Sequence, residues 1–259
     1  MNPHLARIVL RPRGPLQTFD LSIRLLREHS GVAGRLWLAT TLPLIIPTVA
    51  ITWWFDGASW PLLGALLLTP LIQAPFTVLA GRLLFSNAVE ARQVLRETLL
   101  QRFGPLFSSW LWWLLTLTLS ALFCGMLLPI TMPAIAYVTE CALLERVGRF
   151  RVIERSSSLA SSHPGLAVSV VAAWVFLTSW GAVVGELGGQ ALMQFVLQLG
   201  MPFGGVLETQ QVTPYLCIGT LGVQPIVGVA RLLLYVSART QNEGWDLQVR
   251  LRAAGLEPR

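Results

Sequence analysis

The sequence predicts an all-α, polytopic membrane protein: a bundle of six transmembrane helices with amphipathic helices on its cytoplasmic side. Three observations carry that expectation. Hydrophobic residues fill 54% of the 259 positions and charged residues only 12%, about half the charge of a soluble domain. Several stretches of roughly twenty residues are free of charge, the length a helix needs to cross a bilayer core of about 30 Å. All nineteen basic residues are Arg, and they cluster between those stretches. Such a composition excludes a soluble globular enzyme, and it excludes disorder because so apolar a chain has ample surface to bury.

Residues 1–18 read as a flexible basic N-terminal segment. Pro3, Pro12 and Pro15 interrupt it before any long apolar run, so no cleavable signal peptide is expected and the first span is an uncleaved anchor. One membrane domain, residues 19–246, then holds spans at about 36–55, 60–80, 106–128, 130–144, 166–184 and 212–230. The Asp56-Gly57-Ala58-Ser59 turn closes the first pair into a hairpin. Pro129 and Pro133 divide the uncharged run from Gly104 to Thr139, since proline removes a ladder hydrogen bond and disfavours helix before it. After the fifth span, 185–208 contains Glu186 and the Gly200-Met201-Pro202 break, and reads as a periplasmic or re-entrant stretch. A cytoplasmic tail, 247–259, closes the chain.

Orientation follows from the arginines, because cytoplasmic flanks are enriched in them. With both termini inside, all nineteen fall before the first span, in 81–104, in 145–164 or after the sixth span, where Arg231 opens the tail. The outer segments hold only Asp56, Glu186 and Glu208. Trp53, Trp54 and Trp60 bracket the first outer turn, and Trp110, Trp112 and Trp113 mark the inner end of the third span, as interfacial belts do.

A threefold repeat of helix plus hairpin is expected. Phe19 to Ser30, Val89 to Phe103 and Val152 to His163 each precede an outward span and end near Gly31, Gly104 or Gly165. Phe19, Ile23 and Leu26 keep a 3.6-residue period between Arg24 and Arg27, giving an amphipathic helix with a basic face. Aligning His29 with His163 sets Asp20 opposite Glu154 and Leu25 opposite Leu159. The lipid bilayer is the expected partner, its anionic headgroups meeting the arginines; solvated loops that merely enforce topology are the alternative.

Motifs for chemistry are absent from the sequence. His4, His29 and His163 lack metal-ligand spacing, and there is neither Lys nor a GxSxG motif. No catalytic residue, cofactor or metal is expected, and no nucleic acid, since no binding motif accompanies the net charge of +6. Cys124, Cys141 and Cys217 read as small buried hydrophobes. Glu140 is the ionisable residue within a span; it either snorkels towards Arg146 or, with Gln73 and Gln224, forms a polar membrane site. Gly181, Gly185 and Gly189 recur every fourth residue, a spacing for close helix packing inside the bundle or for dimerisation.

Two stretches resemble a large group of uncharacterised bacterial inner-membrane proteins. Arg11-Pro12-Arg13-Gly14-Pro15-Leu16-Gln17-Thr18-Phe19-Asp20 is similar to their RPRSxxEILD opening. Leu233-Leu234-Tyr235-Val236-Ser237-Ala238-Arg239-Thr240-Gln241-Asn242-Glu243-Gly244-Trp245-Asp246 is similar to their LLYxDLRxRxEGFD close. Between them, Leu144-Glu145-Arg146-Val147-Gly148 and Arg155-Ser156 match an LExxG and an RS pair. The group includes proteins labelled as the membrane domain of glycerophosphodiester phosphodiesterases, whose catalytic barrel has no counterpart here. Ser237, Gln241 and Gln17 depart from its usual Asp, Arg and Glu. The resemblance implies a helical membrane domain often encoded beside an AAA+ ATPase, hence an accessory or scaffold subunit of a membrane complex. A carrier or exporter of a lipid or small apolar molecule is the alternative. In the closing stretch, Tyr235, Arg239, Glu243, Gly244, Trp245 and Asp246 form either a partner-docking site or a clasp holding the last span against the first repeat. Arg239 and Glu243, at i and i+4, are spaced to pair on a helix.

Overall fold

A computed structural model describes residues 14–54, 60–84, 89–123, 126, 128–145, 151–199 and 212–243. All regular secondary structure among them is helical. The helices are α1 (Pro15–Glu28), α2 (Ser30–Thr40), α3 (Leu42–Trp54), α4 (Trp60–Leu83), α5 (Ala91–Arg96), α6 (Phe103–Leu122), α7 (Leu128–Ile135), α8 (Val138–Glu140), α9 (Arg151–Ser162), α10 (Pro164–Ala191), α11 (Pro214–Gly222) and α12 (Gln224–Glu243). Wider π-helical turns, Glu97–Gln101, Cys141–Glu145 and Leu192–Val196, extend α5, α8 and α10.

Three helical stretches are long and apolar enough to cross a membrane: Pro61–Leu83, Pro164–Val196 and Pro214–Asn242. A fourth is the pair Ser30–Thr40 and Leu42–Thr52, bent by 41°. The bend falls at Thr41, two residues before Pro43, which cannot donate to the ladder. Phe103–Leu119 is apolar but shorter.

These boundaries revise several expected spans. The first begins at Ser30, within a bent pair. The second runs on to Leu83, and the third ends at Leu122 rather than 128. The stretch expected at 130–144 is not one helix: the chain breaks at Ala136–Tyr137, behind Pro133, and resumes as α8. The fifth does not stop at 184 but continues unbroken through Glu186 to Val196, because Glu186 is buried on a helix and satisfied there: it accepts from Gln190 Nε2 at 2.6 Å and from the Thr213 hydroxyl. The sixth breaks at Val223 and extends to Glu243. At the other end, α1 starts at Pro15, so residues 15–18 belong to a helix and not to the flexible segment.

Burial sorts the helices into an inner and an outer set. α4 packs along α12, and α8 lies against α4. α10 instead packs on α11 along one face and leaves Val175, Phe176, Trp180 and Val184 exposed on the other. The Gly repeat explains how closely α10 and α11 meet. A Cβ on Gly185 would lie 2.5 Å from the Gly219 Cα, and one on Gly181 would lie 2.8 Å from the Gly219 carbonyl oxygen.

At the arginine-rich end, α1 rests on α12 and α9 on α7. α1 turns Thr18, Ser22 and Leu25 inward, not the Phe19–Ile23–Leu26 stripe that periodicity selects. That stripe lies to one side, with Ile23 exposed. α9 buries Val152, Ser156 and Leu159.

Candidate functional site

Four polar side chains from three different stretches of the chain meet inside the bundle. Gln73 of α4, Glu140 of α8, and Gln224 and Arg231 of α12 are 1%, 1%, 0% and 6% exposed. Gln73 Nε2 donates to Gln224 Oε1 at 2.7 Å, and Gln224 Nε2 donates to the Thr220 carbonyl at 2.6 Å. Arg231 donates from Nη1 to Gln73 Oε1 at 2.9 Å. From Nη2 it reaches the Ala136 carbonyl at 2.8 Å and Glu140 Oε2 at 3.2 Å. Its Nε stands 3.1 Å from Glu140 Oε1, within ion-pair distance but without a hydrogen bond.

Local sequence produces this geometry. Gln224, Gly228 and Arg231 follow at i, i+4 and i+7, which puts them on one face of α12. Gly228 supplies the close approach: a Cβ there would sit 2.8 Å from the Gln73 carbonyl oxygen. The break after α7 releases backbone groups that must find partners. Arg231 takes the Ala136 carbonyl. Ser156 of α9 takes two more groups, donating to the Ala134 carbonyl at 2.7 Å and accepting from the Tyr137 amide at 3.2 Å.

A second set of charges ties the arginine-rich end together. Glu145 accepts from the Tyr235 hydroxyl and from Arg155 Nε at 2.9 Å, and Arg239 Nε lies 3.7 Å away. Glu97 pairs with both Arg82 and Arg102, and Arg102 also donates to the Leu143 carbonyl. Arg231 sits eight residues before Arg239 on α12, about 12 Å along the axis at 1.5 Å per residue. The inner pair is therefore two turns deeper than the outer one.

Beside the inner cluster lies a small cavity of about 30 Å³ between α6, α7–α8 and α10. That is room for one or two waters. Trp113 and Trp174 stack edge to face on its wall, ring centroids 5.1 Å apart, and Arg231 reaches its inner side. Among the described residues no group of three or more His, Cys, Asp or Glu is placed to hold a metal ion.

No family model, curated protein or solved structure matches this chain.

Gln73, Glu140 and Gln224, selected from sequence as one polar membrane site, do come together. The reading of Arg231 as the first residue of a cytoplasmic tail is corrected: it is buried and is the partner of Glu140. Glu140 is buried beside Arg231; Arg146, the partner expected from sequence, lies outside the described residues. Tyr235 and Arg239 meet at Glu145, and the expected pairing of Arg239 with Glu243 involves a side chain outside the described residues. Glu243 ends α12; its side chain and Gly244, Trp245 and Asp246 lie outside the described residues. The residues that sequence reasoning missed are Arg231, Glu145, Glu97 and Ser156. For Arg231 a signal existed in its seven-residue spacing from Gln224. For the others nothing local distinguishes a bridging carboxylate or a buried serine from its exposed neighbours.

Proposed function

We propose that this chain is a non-enzymatic, multi-pass protein of a bacterial inner membrane that serves as an accessory or scaffold subunit of a membrane complex. The observation that supports this reading over a carrier is the closed inner cluster. A carrier at rest needs a polar cavity at the depth of Gln73, Glu140 and Gln224, whereas here these groups spend their hydrogen bonds on one another and on Arg231. The cavity that reaches Arg231 has a volume of about 30 Å³.

The proposed topology has six crossings and both termini in the cytoplasm. α2–α3, α6 and α10 run outward, and α4, α7–α8 and α12 return. Support for a threefold repeat comes from burial. Shifting α1 by the interval between His29 and His163 superposes buried Thr18, Ser22 and Leu25 on buried Val152, Ser156 and Leu159. In addition, Trp37 and Trp110, each six residues after the glycine that opens its outward span, donate their indole N–H to backbone carbonyls, of Gly222 at 3.3 Å and of Leu67 at 2.8 Å. Each return helix then contributes to the inner cluster. The basic ends of α1, α5 and α9 face anionic headgroups, and a cytoplasmic ATPase-type partner docks on that side, near Arg239 or the stretch Glu243 to Asp246, while buried Tyr235 acts as part of the clasp.

The test is co-purification from native membranes in mild detergent, comparing the full chain with one ended after Glu243, so that the Arg239 contact is kept. A stoichiometric partner that disappears with the tail supports docking there. A full chain that purifies alone, and that moves a lipid or small apolar solute across liposomes, refutes the scaffold in favour of the carrier.

A further inference from the structure

The geometry points to a binding site for a neutral, membrane-dissolved carbonyl compound in the cavity between α6, α7–α8 and α10, with Trp174 and Arg231 as its hydrogen-bond donors. The cavity is lined mainly by apolar side chains, among them Met132, Ile135, Val170 and Val171. Two donors nevertheless border it. Trp174 Nε1 is buried and has no hydrogen-bond partner among the described residues, which leaves a desolvated donor uncompensated. Arg231 has five N–H groups; three hydrogen bonds go to Gln73, Ala136 and Glu140 Oε2, while its Nε, 3.1 Å from Glu140 Oε1, is buried without a hydrogen-bond partner among the described residues. Both donors call for an acceptor oxygen.

Charge and access narrow the class. Glu140 already neutralises Arg231, so an anion would bring an unbalanced charge into the bundle, which low-dielectric surroundings penalise. A carbonyl supplies the acceptor without the charge. Ile135, Val171 and Trp174 are each part-exposed, so the cavity opens at the surface of the bundle. Val171 stands between Val168 and Val175 at i, i+3 and i+7 on α10, and those two are exposed. The mouth is thus continuous with the apolar outer face of a helix long enough to cross a membrane, and a ligand arrives from the bilayer rather than from water. Its free volume accepts the polar end of such a molecule while the apolar remainder stays outside. An ester carbonyl of a diacyl lipid and the ring carbonyl of a quinone share this chemistry.

The experiment uses the full chain labelled with 5-fluorotryptophan in nanodiscs, read by fluorine NMR, with the Trp174 signal identified by its loss in Trp174→Phe. Three conditions separate the sources: discs of dialkyl ether phosphatidylcholine, discs of the diester analogue, and ether discs with added decylubiquinone. We expect the Trp174 signal in ether discs to shift saturably with decylubiquinone if quinone is the source. It shifts in diester discs alone if lipid is. Val170→Phe, which fills the cavity, should abolish the shift or weaken the apparent affinity for decylubiquinone roughly tenfold, the worth of one well-made hydrogen bond. Val171→Phe at the mouth should do the same if Val170→Phe does not fold. A Trp174 signal identical in all three conditions overturns the proposal, as does a shift that survives both filling variants.

Discussion

α10 and the joined pair α11–α12 are both long, apolar stretches, yet they occupy opposite places. Eighteen consecutive residues within Pro164–Val196 have a mean hydropathy of 1.9, and eighteen within Pro214–Asn242, which joins α11 and α12, one of 1.6, but the first set is only 28% buried and the second 67%. The more apolar helix is thus the outer one. A lipid-facing surface needs only hydrophobicity, and α10 offers Val175, Phe176, Trp180 and Val184 to it. A helix at the centre can carry polar groups because neighbours satisfy them, and those bonds give the contacts their specificity. Gln224 and Arg231 mark α12 as central in a way that hydropathy does not.

That contrast orders the effects of substitution. The largest is expected at Arg231. Replacing it with Leu leaves the Glu140 carboxylate buried and unpaired, which costs about 3–5 kcal/mol, whereas the double variant Arg231→Met with Glu140→Leu should recover most of the loss. Thermal unfolding of the purified variants in detergent reads both. Equal damage in single and double variants would mean that the pair matters for its shape and not for its charge balance.

Next comes the glycine seam of α10 and α11. Gly185→Leu places a side chain where even a Cβ would meet the Gly219 Cα at 2.5 Å, and overpacking of this kind costs about 1–3 kcal/mol or more. Gly188, whose Cβ would meet nothing within 4 Å, provides the control: Gly188→Ala should be neutral or stabilising by up to about 1 kcal/mol. A Gly188→Ala protein as unstable as Gly185→Leu would refute the seam. Ser156→Ala removes the bridge between Ala134 and Tyr137 and should cost about 1–3 kcal/mol. Its signature is faster hydrogen exchange localised at the α7–α8 break. The smallest effect belongs to the outer face of α10, where Val184→Ala should change stability by no more than about 0.5 kcal/mol. A large loss there would show that this face is covered by protein.

How much of this was legible in advance depends on the range of the interaction. The all-helical class and the apolar stretches follow from composition and from runs of uncharged residues, properties of the chain taken about twenty residues at a time. The site was half legible. Gln73, Glu140 and Gln224 stand out because polar groups are rare in such runs, but Arg231, at the edge of a run, looked like an ordinary topological arginine. Helix ends were hard for a related reason. Glu186 reads as the end of a span only while its partners, Gln190 and Thr213, are unknown. α1 illustrates the same limit: its 3.6-residue period identifies a helix, yet Thr18 and Ser22 face inward, their hydroxyls satisfied by the Gly14 and Phe19 carbonyls of their own chain segment.

By itself, then, the sequence determined that this chain is helical and has stretches apolar enough to lie in a membrane, because those depend on the free energy of transferring consecutive side chains out of water. Tertiary structure alone decided which helices lie inside, where they break, and that Arg231 answers Glu140 across 91 residues of chain. Burying a charge is tolerable only beside its counterpart, and that counterpart is chosen by packing in three dimensions.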